Sequence, residues 1–281
     1  MRLLTLEDIR DVYLKWMQRG GKFLLSKLTL SSAERTKSSF NESNIQSANY
    51  WIIPAVRKRW NKLITDDENL GYEAYVSNKF LKNRAGNMLS IGSGSCTKEL
   101  SFARLNPHWE ITCIDFSDKL LKVGEKIAAA EKLTNIFFIA EDIHQYHLPS
   151  SFFDVVLFNS SLHHFHQIDK IIQKINNALL PKGKLIINEY VGPNRLQYSY
   201  HQLKAINNCL QLIDKPLRKM FLSSIYKNKY YGSGLLRMII SDPSECVKSE
   251  DILLVIHHYF TIVEEKAVGG NLLMPVLKDI A

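Results

Sequence analysis

Asn87-Met-Leu-Ser-Ile-Gly-Ser-Gly-Ser-Cys96 is the stretch on which the architecture turns. Residues 87–91 are short, apolar and suited to a strand. Gly92-Ser93-Gly94 bends the chain, and a helical pattern follows over 97–105. Asn106-Pro107 closes that helix, because proline disfavours helix in the residue before it. A strand that runs through a glycine bend into a helix aims backbone N–H groups at whatever sits at the helix start. Glycine permits the bend and lets a ligand approach the main chain closely.

The same rhythm repeats on the C-terminal side. Residues 110–114 read as a second strand ending at Asp115. Ser117 is placed to cap a helix over 119–132. Residues 135–139 form a third strand closing in Ala140-Glu141-Asp142. Residues 153–158 form a fourth, 168–179 a helix, Pro181-Lys182-Gly183 a turn, and 184–189 a fifth strand. Strands separated by helix-length segments imply parallel βαβ units with right-handed crossovers and helices on both faces. Asp115 follows Gly92 by 23 residues. In a doubly wound sheet that carboxylate sits beside the glycine loop and can accept both hydroxyls of a ribose, which points to an adenosine-type ligand.

The pattern breaks after Gly192. Residues 193–248 are basic and rich in tyrosine, with helical stretches near 199–213 and 216–227, and read as a helical insertion after strand 5 on the substrate side. A helix over 249–256 follows. Strands are then expected over 259–266 and 272–277, joined through Gly269-Gly270 as a hairpin. Residues 1–84 read as an N-terminal helical lid or extension, with Leu3, Ile9, Val12, Tyr13 and Trp16 roughly periodic. Residues 85–281 form the main domain.

Composition narrows the classes. The chain has 281 residues, 46% hydrophobic and 23% charged, as in an ordinary globular protein that needs no disulfide or metal to hold its core. No apolar run approaches the ~20 residues of a membrane span. The opening MRLLTLEDIR carries acids where a secretion signal needs an apolar stretch, so none is expected. Cys96, Cys113, Cys209 and Cys246 are scattered, without a CxxC pair, which argues against a metal site and suits a reducing, cytoplasmic setting. The net charge of +8 sits in two blocks. Residues 1–87 hold 15 Lys/Arg against 9 Asp/Glu, and residues 194–248 hold 9 against 3. A solvated surface and an anionic partner are both consistent with that excess.

With these motifs in place, the sequence resembles the class I S-adenosylmethionine-dependent methyltransferases. The matching segments are Leu89 to Cys96, Asp115-Phe116-Ser117, Ala140-Glu141-Asp142, Phe153 to His164, and Leu180-Pro-Lys-Gly-Lys-Leu185, in family order. The resemblance implies a Rossmann-like seven-stranded sheet of order 3-2-1-4-5-7-6 with strand 7 antiparallel, and S-adenosyl-L-methionine as cofactor. It implies that Gly92, Ser93 and Gly94 line the methionine part, that Asp115 takes the ribose hydroxyls and that Phe116 lies on the adenine. Asp142 with Ile143 would meet the adenine amine, and Asn159 would sit near the sulfonium. Two positions depart from the pattern. Ser90 stands where the family usually has an acid that helps hold the cofactor's ammonium, and Cys96 stands where a third glycine is common.

Methyl transfer needs alignment and exclusion of water, and a base only for a hydroxyl or a protonated amine. Base candidates lie at the C-terminal edge of the sheet: His164 and His163 after strand 4, and Glu189 and Tyr190 after strand 5. Helix-start packing for the histidines and a buried, backbone-bonded carboxylate for Glu189 are the plain alternatives. On a helix, His163 and His164 would point about 100° apart. Tyr50, Trp51, Tyr198, Tyr200 and His201 are candidate acceptor contacts, with helix packing as their alternative. The segment Asn159-Ser-Ser-Leu162 lacks the proline and aromatic of base-methylating enzymes, which lowers a nucleic-acid acceptor.

The expected function is therefore methyl transfer from S-adenosylmethionine to a hydroxyl or amine of a small-molecule acceptor, anionic if the basic blocks face it. An RNA methyltransferase, a non-catalytic adapter with a relict pocket, and an NAD(P)-dependent oxidoreductase are the alternatives. Thr97 in the third glycine position of a dinucleotide fingerprint weakens the last. The apolar faces of the N-terminal helices suit a homodimer or packing on the sheet equally well.

Overall fold

The computed structural model describes residues 1–19, 35–36, 50–270 and 272–280. In chain order the principal elements are α1 (Leu6–Arg19), α2 (Pro54–Thr65), α3 (Tyr72–Val76), β1 (Gly86–Ile91), α4 (Thr97–Leu105), β2 (Trp109–Asp115), α5 (Asp118–Ala130) and β3 (Ile136–Ala140). They continue with β4 (Phe153–Asn159), α6 (Ile168–Ala178), β5 (Leu179–Asn188), α7 (Tyr200–Gln211), α8 (Leu235–Ser241), α9 (Ile252–Tyr259) and α10 (Leu273–Leu277). The chain divides into two compact units. One comprises residues 70–191 and 246–264, the other residues 1–69, 192–245 and 265–281.

The first unit holds the sheet. Five strands pair in the order β3-β2-β1-β4-β5, all parallel. Met88, Leu89, Ser90 and Ile91 are all buried, as a central parallel strand covered on both faces requires. α6 shows the complementary logic. Ile168, Ile171, Ile172, Ile175 and Ala178 fall at helical spacing and are all buried against the sheet, together with Ile252 and Ile256 of α9. The Ser117 hydroxyl accepts from the Leu120 amide and caps α5, as its sequence position predicts.

The order 3-2-1-4-5 agrees with expectation, but the expected strands 6 and 7 are not formed among the described residues. Residues 259–266 begin as the last residue of α9 and continue without regular structure, and residues 273–277 are helix. Val263 is exposed, so the segment buries no alternating face. Pro275 lacks the N–H a strand ladder needs, yet it fits the first turn of α10, where that group would have no partner. Gly269 and Gly270 do take positive φ, 78° and 101°, and there they bend the chain without pairing strands. Residues 216–227 also differ from the helix expected. A 3₁₀ turn at Lys215–Arg218 gives way to an antiparallel bridge between Lys219 and Tyr226.

The second unit is built on Tyr198, Ile206, Leu210, Tyr230 and Val276. α1 docks on it with an unusual face. Leu3, Ile9, Val12, Tyr13 and Trp16 are exposed, whereas Glu7, Asp8 and Asp11 are buried alongside Leu14. Each acid has a charged partner, with one Asp11 oxygen left buried without a hydrogen bond. Glu7 pairs with Arg10 and accepts from the Tyr231 amide at 3.1 Å. Asp8 accepts from the Gly234 amide at 2.8 Å and from Arg237 at 2.9 Å. Asp11 meets Arg237 at 3.2 Å and Lys278 at 2.8 Å. The fully buried Lys227 donates to the carbonyls of Pro275 (2.7 Å) and Lys278 (2.6 Å) and so closes the end of α10.

Asp11 makes this network sensitive to acid. Burial alone would raise its carboxyl, but Lys278 and Arg237 more than reverse that and hold it at about 2, against an ordinary 3.8. A carboxyl lowered on folding stabilises the native state above the unfolded value, and the contribution is lost as pH falls towards 2. The contribution is about 2 kcal/mol. Urea unfolding should therefore separate Asp11→Asn from the parent at pH 7 and bring the two together near pH 2; a gap independent of pH would refute the ion-pair account.

Candidate active site

The glycine bend lies at the C-terminal end of β1, where the sheet order reverses between β1 and β4. Ligands of open α/β sheets bind at such switch points. Gly92 and Gly94 adopt φ of 69° and 54°, and Cys96 at 57° leads into α4. A Cβ on Gly92 would stand 2.6 Å from the Ser161 Cβ. Positive φ and this contact both require glycine there. Ser161 is fixed in turn, its hydroxyl donating to the Ile91 carbonyl at 2.6 Å.

Asp115 ends β2 directly beside the bend. One carboxylate oxygen accepts from the Gly94 amide at 2.9 Å and the other from the Ser117 amide at 2.7 Å. The side chain is nearly buried, and its neighbour Phe116 is 37% exposed. Ser93 donates to the Ser90 carbonyl at 3.0 Å and tightens the turn. After β3, Asp142 accepts from the His144 amide at 2.9 Å and starts a turn, while Ile143 is buried in the core.

At the ends of β4 and β5, Asn159 accepts from the Tyr72 hydroxyl at 2.9 Å and from the Asn188 amide group at 3.1 Å. Burial, with Glu73 and Glu99 nearby, holds the Tyr72 phenol well above its ordinary range, so it stays neutral and donates. Ser90 donates to Glu99 at 2.7 Å, and both are buried. Tyr72, Asn188, Glu99 and Ser161 were not legible as site residues from spacing. Each joins the site across the sheet or from a helix outside it, and only the departure at Ser90 hinted that a carboxylate should be sought elsewhere.

The candidate bases are largely committed to one another. Glu189 accepts from the Ser161 and Leu162 amides, both at 2.5 Å, from the Tyr190 amide at 3.1 Å, and contacts His163 Nδ1 at 2.7 Å. His163 and His164 lie on a 3₁₀ turn, and their ring centres are 4.2 Å apart instead of diverging as they would on an α-helix.

The aromatic residues read as acceptor contacts belong to the other unit. Tyr50 stacks on Trp51 at 4.8 Å, and Trp51 packs on Trp60 at 3.7 Å. Tyr198 is a core residue, and Tyr200 and His201 are exposed at the start of α7.

A parallel sheet with a glycine bend at its switch point and a carboxylate closing the next strand defines a nucleoside-binding α/β domain. The chain matches the family described as "Methyltransferase domain" over residues 82–244 and belongs to it, as a methyltransferase domain of the class I S-adenosylmethionine-dependent kind. It is 32% identical over 106 residues to the ubiquinone/menaquinone biosynthesis C-methyltransferase UbiE of Wigglesworthia glossinidia brevipalpis, covering 37% of this chain and 42% of that one. It is 29% identical over 154 residues to the demethylmenaquinone methyltransferase of Thermotoga maritima, covering 55% and 63%. It thus spans about half the length of the curated relatives it matches. Among solved structures, a phosphoethanolamine N-methyltransferase 2 of Haemonchus contortus in complex with S-adenosyl-L-methionine aligns with a TM-score of 0.41 at 21% identity, over 54% of this chain and 36% of that one.

The cofactor of this family is S-adenosyl-L-methionine, and the donor set fits it. The anchored Asp115 carboxylate lies beside the glycine bend, and a second buried carboxylate, Glu99 of α4, reaches Ser90 near the end of β1. Among the described residues no helix is long and apolar enough to cross a membrane.

Proposed function

We propose that this chain transfers a methyl group from S-adenosylmethionine to a small-molecule acceptor by in-line displacement. The observation that carries the reading is the Asp115 carboxylate fastened 2.9 Å from the Gly94 amide at the switch point of the sheet. The bound cofactor supplies a methyl group already activated by its sulfonium. What the chain must add is binding, alignment and a site free of water. In this reading Asp115 accepts the ribose hydroxyls, and Phe116 offers its ring to the adenine. Asp142 and Ile143 border the adenine amine, Gly92, Ser93 and Gly94 carry the methionine part, and Asn159 faces the sulfur.

The attacked atom in this reading is a hydroxyl or an amine. If the acceptor carries a proton, His163 is the base that Glu189 supports. Its Nδ1–H donates to the carboxylate 2.7 Å away, which orients the ring. A second reading, transfer to carbon, draws on the curated relatives called C-methyltransferases.

Calorimetry with S-adenosylhomocysteine, followed by transfer of labelled methyl from S-adenosylmethionine to a panel of phenols, amines and quinols, tests both. Binding heat with a labelled product is expected, and NMR of that product assigns the methyl to oxygen, nitrogen or carbon. Neither heat nor a thermal shift would identify an adapter instead.

A further inference from the structure

We infer that Glu99 of α4 supplies the carboxylate for the cofactor's ammonium group, taking over from β1, where Ser90 has none. The inference rests on the cofactor reading above.

Ser90 lies two residues before Gly92, at the buried end of β1. A neutral hydroxyl there cannot balance a cation. Glu99 sits in the first turn of the helix that leaves the glycine bend, and its side chain turns back so that Oε1 accepts from the Ser90 hydroxyl at 2.7 Å. Strand and helix together thus place at this point a negative charge that the strand alone lacks. Glu99 is 2% exposed. Among the described residues no lysine or arginine forms an ion pair with it. Lys98, the nearest in sequence, is paired with Glu73 and leans over the Tyr72 ring.

A buried carboxylate with only neutral hydrogen-bond donors is costly to keep ionised, and burial accordingly pushes the Glu99 carboxyl up. A folded chain keeps such a group at low cost when a cation arrives from outside. The ligand of the glycine bend carries one, since the methionine part of S-adenosylmethionine ends in an ammonium. The Ser90 hydroxyl orients the carboxylate by holding one of its oxygens. Lys98 and Glu73 are the charged groups bordering the Tyr72 side of this carboxylate, and Asp115 lies across the bend.

Paired ligands provide the test. S-adenosylhomocysteine carries the ammonium, whereas 5′-methylthioadenosine keeps the adenosine and sulfur and lacks the amino-acid chain. Glu99→Gln should weaken S-adenosylhomocysteine by about 10- to 100-fold, the loss of one charge-assisted hydrogen bond, and leave 5′-methylthioadenosine unchanged. Adding Ser90→Asp to the Glu99→Gln chain should restore most of the lost affinity by returning the charge to the strand. Circular dichroism confirms that both variants are folded. Equal losses for the two ligands, or none, would overturn the assignment while sparing the cofactor reading. A parent chain that binds neither ligand would overturn both.

Discussion

Asp115→Ala is expected to abolish useful cofactor binding, with kcat/KM falling by about a hundredfold to ten-thousandfold. Two ribose hydroxyls donating to one carboxylate make two charge-assisted hydrogen bonds of roughly 1.5–3 kcal/mol each. Asp115 does structural work too, because its oxygens also take the Gly94 and Ser117 amides. Losing both leaves two donors at the bend without partners, so thermal stability should fall as well. Asp115→Asn separates the effects. Its carbonyl oxygen can keep one amide, while its NH₂ group confronts the other and meets the ribose as a donor. Calorimetric titration with S-adenosylhomocysteine is the direct reading, and an alanine variant that binds as tightly as the parent would dispose of the ribose role.

The second large effect is at Glu189. Glu189→Ala should cost about 3–5 kcal/mol of stability, because it strands the Ser161 and Leu162 amides in a buried turn at roughly 1–3 kcal/mol each and removes the partner of His163. Glu189→Gln should cost only about 1 kcal/mol. The amide oxygen can retain the Ser161 and Leu162 amides, and its NH₂ group can face the His163 ring once the tautomer changes, at the loss of the Tyr190 amide. The pair distinguishes a structural role from one in proton transfer. If Glu189 holds His163 as a base, Glu189→Gln loses about 10²- to 10⁴-fold in kcat at near-parent stability, because the changed tautomer puts the proton on Nε2; if the pair only braces the turn, the variant stays active with an unchanged pH–rate profile. Urea unfolding and a pH series on the two variants read both quantities.

The β-sheet was largely legible because three signals coincide there: apolar runs of strand length, glycine or proline at their ends, and an N-cap at Ser117. Asp115 could be placed beside the bend from topology alone, since parallel strands carry their C-terminal ends to one edge. Residues 259–277 misled for a local reason. Gly269-Gly270 has the composition of a hairpin turn, but Pro275 and an exposed Val263 make poor strands on either side.

The orientation of α1 was hidden more deeply. Its apolar stripe and its acidic stripe are both regular. Which of them is buried depends on Arg237 and Lys278, more than 200 positions away along the chain. Glu99 escaped notice because its partner Ser90 belongs to a different element, and nothing in the spacing of a glycine motif anticipates a helix returning a charge to the strand before it.

The meeting of Gly92 with Ser161 leaves no room for a side chain between the β1 and β4 loops. A β4 turn that moves towards β1 therefore runs into the backbone of the bend, so a substitution that displaces Ser161 is also a change at the bend.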